Sequence, residues 1–214
     1  MNRFFAGVVL ALSVLTGCGG DDDTPGNGNP GGGGGTEQKC SASNCTGCCF
    51  NNVCQTGNTA SACGKAGATC SACGSTQVCR TDQTCGVDPN SVWRVQPVSA
   101  RIAASDNGTS WDGDSSAPDV VVVMQCPGST TSTETAEVES YTPAWTTGGC
   151  TAKASQLLAE PWVFQLWDID FSSDDTITDA LALRITEELL TAGTVTVNAS
   201  GGMTSMTVQL QKQP

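Results

Sequence analysis

The stretch that decides the fold is Pro161–Thr178, "PWVFQLWDIDFSSDDTIT". Its apolar run, Trp162–Trp167, is typical of a buried strand. Four aspartates follow within eight positions, with no Lys or Arg nearby: Asp168, Asp170, Asp174 and Asp175. Two carboxylates about 4 Å apart repel each other by ~1 kcal/mol even in bulk water. So much like charge at the end of a buried strand therefore indicates a bound cation.

Residues 91–214 contain all five tryptophans and are the only part of the chain able to build a hydrophobic core. Six segments alternate apolar with polar residues or are rich in β-branched residues: Trp93–Ala104, Asp119–Cys126, Ala136–Ser140, Trp162–Trp167, Thr194–Ser200 and Met206–Gln211. Turn-forming residues separate them, and Gly201-Gly202 indicates a closing hairpin. Asp179–Leu190 fits either a helix or a strand plus a loop. Six to eight short strands predict an all-β sandwich.

A second acidic set follows the first predicted strand and contains Asp106, Asp112, Asp114 and Asp119. Because loops at one end of a sandwich converge, both acidic sets are expected at one edge. Between Ile102 and Leu183 there are thirteen acidic residues and one basic residue, Lys153. Carboxylates without His or a free thiol are hard oxygen ligands, which favour Ca²⁺. The alternative is that the acidic loops only make the surface more hydrophilic.

Three motifs in this region, in order, resemble the calcium loops of the C2 domain. "SAPDVVVVM", Ser116–Met124, resembles the segment in which an aspartate opens a strand, here Asp119, although the usual Tyr is missing. "YTPAWTT", Tyr141–Thr147, echoes the "NPVWNE"-like motif. The third loop is matched by Asp168-Ile169-Asp170 and Asp174-Asp175-Thr176-Ile177, and is one residue short.

This resemblance implies an eight-stranded C2-like antiparallel β-sandwich over residues 91–214 that binds Ca²⁺. The implied ligands are Asp112, Asp114, Asp119, Asp168, Asp170, Asp174 and Asp175. The choices between Asp112 and Asp114, and between Asp174 and Asp175, stay open. Bound calcium in the family bridges to phospholipid headgroups, and Trp111 and Phe171 are expected near the loop tips, where they would enter a membrane interface. In the alternative, calcium only orders the loops of an adhesive domain that faces a surface protein or glycan.

Ten of the thirteen cysteines fall within residues 40–86, and two more, Cys126 and Cys150, lie in the sandwich region. These even numbers predict five disulfides in a small module with little regular secondary structure, and one disulfide beyond it. The alternative is zinc bound by pairs such as Cys45-x-x-Cys48. "TGCCFNNVC", Thr46–Cys54, resembles an element of knottin-like and hevein-like modules. A rigid stalk is favoured over a glycan-binding module.

The N-terminal residues 1–17 have the order of an export signal, with a basic residue, an apolar run and small residues. The run is too short for a comfortable membrane span. "LTGC", Leu15–Cys18, resembles the bacterial lipoprotein signal, which implies a lipid on Cys18. Residues 18–39 are rich in Gly, Asn, Pro and Asp, and predict a flexible tether. The expected location is the bacterial cell envelope, with the protein anchored to the outer membrane rather than the inner one.

Composition excludes several functions. The formal charge is −12, and no basic stripe is present, which excludes nucleic-acid binding. The chain contains no histidine, which excludes Ser-His and Cys-His catalysis. Paired aspartates are the remaining catalytic option, but no protease-like "DTG" is present. We therefore expect a binding protein and not an enzyme.

Overall fold

The computed structural model describes residues 38–106, 108–171 and 173–214. Residues 39–214 form one compact unit. The predicted signal, the lipid-bearing Cys18 and nearly all of the predicted tether lie outside the described residues. Within the described ranges, no helix has the length and apolar character that crossing a membrane requires.

The cysteine-rich module is built from seven strands of two or three residues each. They are β1 (Cys48–Phe50), β2 (Val53–Gln55), β3 (Asn58–Thr59), β4 (Ala62–Cys63), β5 (Ala68–Thr69), β6 (Gln77–Cys79) and β7 (Cys85–Val87). β1 pairs with β2 and β5, β3 with β4, and β6 with β7. Strands this short bury too little surface to hold themselves together.

Five disulfides link the module, as predicted. They join Cys40 to Cys49, Cys45 to Cys54, Cys48 to Cys70, Cys63 to Cys79, and Cys73 to Cys85. The cysteines of the alternative zinc site, Cys45 and Cys48 with the similarly spaced Cys70 and Cys73, are therefore all in disulfides, which leaves no thiolate to hold a metal. The covalent links replace the apolar core that the module lacks.

The remaining chain forms two packed sheets and two short helices. Its strands are β8 (Val92–Ile102), β9 (Asp119–Gln125), β10 (Thr133–Glu134), β11 (Val138–Glu139), β12 (Cys150–Lys153), β13 (Trp162–Asp168), β14 (Asp175–Thr176), β15 (Leu181–Leu183), β16 (Thr194–Ser200) and β17 (Met203–Lys212). The helices are α1 (Ala154–Ala159) and α2 (Glu187–Ala192).

The first sheet has the order β12-β8-β17-β16. In the second sheet, β9 and β13 are central; β10 and β11 both pair with the outer side of β9, and β14 and β15 both pair with the outer side of β13. If each of these interrupted edges is counted once, both sheets have four strands. All pairings in the two sheets are antiparallel. The predicted eight-stranded antiparallel sandwich is confirmed.

The core lies between the inner faces of the two sheets. On β13 the alternate residues Trp162, Phe164 and Leu166 are buried, with the Trp162 and Phe164 rings stacked at 4.3 Å between centroids. On β9, Val120 and Val122 face them from the neighbouring strand. Burying each such side chain contributes about 1.5–3 kcal/mol, so the apolar run in the opening stretch anchors the second sheet.

Asp179–Leu190, which the sequence allowed as either a helix or a strand plus a loop, contains a strand and most of a helix. β15 covers Leu181–Leu183, and α2 begins after Thr186, whose side chain accepts a hydrogen bond from the Leu189 amide. Gly193 ends the helix in the left-handed region. The helix α1 was not predicted, because six residues are too few to show a helical period.

The disulfide predicted in the sandwich is present. Cys126 follows the end of β9 and Cys150 begins β12, so the bond joins an inner strand of one sheet to an edge strand of the other. This link closes a segment of 24 residues, and by loop entropy it contributes about 3 kcal/mol.

Side-chain contacts, in addition to the backbone connection, attach the module to the sandwich. Val87, at the end of β7, is fully buried and belongs to the sandwich core. Glu187 of α2 forms an ion pair with Arg80 and accepts a hydrogen bond from the Val87 amide. The Arg80 guanidinium also donates to the Val87 carbonyl. The last strand of the module is thereby fixed against the second helix.

Candidate metal centre

Two acidic loops meet at one end of the sandwich. β13 ends at Asp168, directly across from the start of β9, with Asp168 opposite Val120. The Ile169 amide then donates to the Asp119 carbonyl at 3.0 Å. Residues 108–118, which lead into β9, and residues 169–171, which follow β13, are therefore held at the same end of the sandwich, as the sequence predicted.

Asp168 has its side chain inside this end of the sandwich. It continues the alternation of Trp162, Phe164 and Leu166, so its carboxylate faces the core and is fully buried. One oxygen, Oδ1, accepts a hydrogen bond from the Asp119 amide at 2.7 Å. The other oxygen, Oδ2, is buried and has no hydrogen-bond partner among the described residues. A buried carboxylate oxygen without a partner is costly unless a cation binds it.

The electrostatics around Asp168 agree with this geometry. Burial, opposed by the hydrogen bond from the Asp119 amide and assisted by the charges of Asp112, Asp170 and Asp119, raises the pKa of Asp168 to about 6. Burial also raises the pKa of Asp170, assisted by the charge of Asp112, by that of Asp175, by a hydrogen bond with Asp112 and by the charge of Asp174. The side chains of Asp112, Asp119, Asp168 and Asp170 thus form one repulsive group, called here the acidic cup.

The first loop brings Asp112, and not Asp114, into the acidic cup. Asp112 is half-buried, its Oδ2 accepts a hydrogen bond from the Ser116 hydroxyl at 2.9 Å, and its charge acts on both Asp168 and Asp170. Asp114 is exposed, and hydrogen bonds from Ser116 lower its pKa. Asp106, which the sequence grouped with this loop, pairs with Thr109 through backbone hydrogen bonds.

Asp174 and Asp175 lie at the outer side of the acidic cup. Asp174 is exposed, and its Oδ1 accepts a hydrogen bond from the Asp170 amide at 3.2 Å. Asp175 begins β14, where it is opposite Asp168 in the ladder, and its side chain is exposed. Both charges act on Asp170, so the choice between them as a metal ligand stays open.

The donor set of the acidic cup fits a hard cation such as Ca²⁺, because all its groups are carboxylates and one carries the unpartnered buried oxygen. In the described part of the chain, the only groups of three or more ligand atoms within 4.8 Å of one another are cysteine sulfurs already in disulfides. No three carboxylates of the cup have oxygens that all lie within that distance of one another. Separation is the expected result of repulsion among like charges.

The two aromatic residues predicted at the loop tips lie in different places. Phe171 is fully exposed, in the loop after β13. Trp111 is buried, at 6% exposure, and its indole Nε1 donates to the Ala103 carbonyl. Its ring packs over Gly202, where an added Cβ would lie 2.5 Å from it. The prediction that Trp111 could enter a membrane is wrong, because the ring fills the space above the turn between β16 and β17.

Sequence reasoning missed the two residues that shape the first loop. The Ser116 side chain holds Asp112, and its backbone carbonyl accepts a hydrogen bond from the Tyr141 hydroxyl at 3.1 Å. The run of small polar residues around Ser116 is typical of side-chain-to-backbone turns and could have indicated the first contact. The hydrogen bond from Tyr141 joins residues that are far apart in the sequence, so no local sequence pattern could have predicted it.

Comparison with protein-family models finds no match, and comparison with curated proteins finds none either. Among solved structures, the chain is similar to one described as the structure of a C2 domain, with 16% identity, a TM-score of 0.41, and coverage of 58% of this chain and 99% of that chain. A single C2 domain of plant Extended Synaptotagmin 1 gives 10% identity, a TM-score of 0.42, and coverage of 59% and 98%.

Calcium-bound Extended-Synaptotagmin 2, in a structure of two of its C2 domains, gives 14% identity and a TM-score of 0.43. The match covers 58% of this chain and 46% of that chain. These likenesses concern the fold alone. The described chain is thus an antiparallel β-sandwich, preceded by a disulfide-rich module, that is similar to these C2 domains.

The pKa of Asp168 generates a prediction about stability in the absence of metal. The unfolded chain ionises this carboxyl near pH 4, whereas the folded chain keeps it protonated up to about pH 6. The contribution of Asp168 to the free energy of unfolding should therefore fall by about 2 kcal/mol between pH 4.5 and pH 7. Urea unfolding in chelator at pH 4.5 and pH 7 measures the difference.

The variant Asp168→Asn should lose most of this pH dependence, because its amide does not ionise and its Oδ1 can still accept from the Asp119 amide. Asp114→Asn is the matched control in the same acidic region, and should keep the wild-type slope. An unchanged slope in Asp168→Asn would contradict the assignment of the raised pKa to Asp168.

Proposed function

We propose that this protein is a lipid-anchored protein of the bacterial cell envelope whose C2-like domain binds Ca²⁺ in the acidic cup, and through it phospholipid headgroups. The observation that carries the proposal is the buried Asp168 carboxylate, with one oxygen bonded to the Asp119 amide and the other without a partner among the described residues. Calcium supplies the positive charge that this oxygen lacks, and leaves coordination positions for a phosphate oxygen.

Each residue of the acidic end has its own part in binding. Asp168 holds the innermost position, and Asp112, Asp119 and Asp170 surround it. Ser116 orients Asp112 through its hydroxyl. Asp174 positions the second loop by accepting from the Asp170 amide. Phe171, at the exposed tip of that loop, supplies the apolar contact with a membrane interface.

The charge of the domain makes lipid binding conditional on the metal. Without a cation, the acidic cup repels phosphate headgroups, and the chain has no polybasic cluster to overcome that repulsion. With the cation bound, the same end of the sandwich attracts anionic oxygens. No catalytic role is proposed, because the chain has no histidine and its described cysteines are in disulfides.

The calcium site predicts a stability increase on titration. At a free Ca²⁺ concentration of 100 times the Kd, the free energy of unfolding should rise by about 2.7 kcal/mol. For a chain of this size, that corresponds to a rise in Tm of roughly 5–10 °C. Differential scanning calorimetry of the full chain, in chelator and in millimolar CaCl₂, measures the shift.

Asp168→Asn with Asp170→Asn should abolish the shift, whereas Glu160→Gln with Glu188→Gln, two exposed residues elsewhere that give the same change in charge, should keep it. Within the first loop, Asp112→Asn should weaken binding more than Asp114→Asn. A wild-type Tm that does not respond to calcium would overturn the metal site.

Lipid binding is tested with vesicles. The full chain should cosediment with phosphatidylcholine–phosphatidylserine vesicles more in CaCl₂ than in chelator, and Phe171→Ser should reduce the calcium-dependent fraction severalfold. Phe50→Ser is the matched control, because Phe50 is also an exposed phenylalanine but lies in the disulfide module. A calcium-dependent Tm without calcium-dependent cosedimentation would favour the alternative, in which calcium only orders the loops of an adhesive domain.

The lipid anchor on Cys18 is tested separately. In bacterial cells, the wild-type chain should fractionate with membranes and incorporate labelled fatty acid, and Cys18→Ser should lose the label and leave the membrane fraction. Cys126→Ser with Cys150→Ser controls for the general effect of cysteine removal. Label that persists in Cys18→Ser would show that the chain carries no lipid at this position.

A further inference from the structure

The outer face of the second sheet carries a groove of about 580 Å³. Its floor is apolar and consists of Val121, Val123, Trp167 and Ile169. Val121 and Trp167 are directly opposite each other in the ladder between β9 and β13, so their side chains lie on the same face. This face is opposite to the one that bears Val120, Val122 and Leu166, which belong to the core.

The groove exists because the edge of the sheet is interrupted between β10 and β11. Thr135, at the break, remains bonded to Val122: its amide donates to the Val122 carbonyl at 3.1 Å, and its hydroxyl accepts from the Val122 amide at 3.0 Å. The next residues, Ala136 and Glu137, leave the ladder and form one wall of the groove. The hydrogen bonds of Thr135 fix that wall.

The rim of the groove is acidic. Glu134 is opposite Val123 in the ladder and therefore shares its face, and Glu137 and Asp174 complete the rim. All three acidic side chains belong to exposed residues. None of the groove-lining residues in the described part of the chain is basic. The groove therefore combines an apolar floor with three separate negative charges.

We propose that this groove binds a basic peptide segment of a partner protein, in which Lys or Arg residues flank an apolar side chain. The apolar side chain packs on Val121 and Trp167, and the cations meet the carboxylates of Glu134 and Glu137. The half-exposed indole of Trp167 adds an attractive surface for a cation. A volume of this size is typical of sites for small ligands or short segments. Phosphates and anionic lipids are excluded by charge.

This inference does not depend on calcium, since the acidic cup lies at the end of the sandwich and the groove on its outer face. The groove shares two residues with the loop after β13, Ile169 in its floor and Asp174 on its rim, and neither belongs to the acidic cup. The test is therefore made in chelator, where loss of the calcium site has no effect on the readout.

The probe is a fluorescein-labelled synthetic peptide of sequence KLKLKLKL, titrated with the full chain at 0.15 M salt, with anisotropy as the readout. Saturable 1:1 binding is expected, and ELELELEL should not bind. Glu134→Gln with Glu137→Gln should weaken binding at least tenfold. Trp167→Ala should weaken it as well, provided its circular dichroism matches the wild type.

Glu160→Gln with Glu188→Gln is the matched control, because it removes the same charge from exposed residues outside the groove. This variant should change the Kd by less than twofold. An equal loss in the control would show nonspecific attraction to an acidic protein and overturn the proposal. So would the absence of saturable binding, or self-association of the chain that Glu134→Gln with Glu137→Gln abolishes, which would assign the groove to a second copy.

Discussion

The hydrogen bond from the Asp119 amide to the Asp168 carboxylate joins the start of β9 to the end of β13. Side chains alternate between the two faces of a strand, so Asp168 lies on the same face as Trp162, Phe164 and Leu166, which pack in the core. The carboxylate is therefore buried at the end of the sandwich, and the two loops that continue from these strands carry their charges around it. An apolar residue at this position would complete the core at this end of the sandwich. It would, however, provide no buried oxygen for a cation that neutralises the surrounding aspartates.

Apolar packing, an ion pair and a hydrogen bond hold the disulfide module to this sandwich. The module is stabilised by five disulfides, but its last strand adds Val87 to the apolar core, and Glu187 bonds to both Arg80 and the Val87 amide. A stalk made only of disulfide-linked loops could turn about its junction with the next domain. The contacts of Val87 and Glu187 restrict such rotation, so the module and the sandwich form one compact unit.

The strands with a strong local pattern could be predicted from the sequence. The β-branched run after Asp119 and the apolar run from Trp162 become β9 and β13, and the even cysteine counts anticipate both sets of disulfides. The features that could not be predicted from the sequence depend on contacts between distant segments. Trp111 is next to an acidic loop residue, yet it is buried because Gly202 leaves room for its ring. Asp112 and Asp114 look equivalent in sequence, but Asp112 is half-buried and its charge acts on Asp168 and Asp170, whereas Asp114 is exposed.

The direction of β8 has a geometric consequence. This strand of 11 residues leaves the disulfide module at Val92 and ends at Ile102, where the loop toward Asp119 begins. At about 3.3 Å per residue, it separates the two ends of the sandwich by roughly 35 Å. The contacts of Val87 with the sandwich lie toward the Val92 end of this strand, and the acidic loops lie toward the Ile102 end. A force applied between the disulfide module and the acidic loops would therefore act along the strands of the sandwich and not across them.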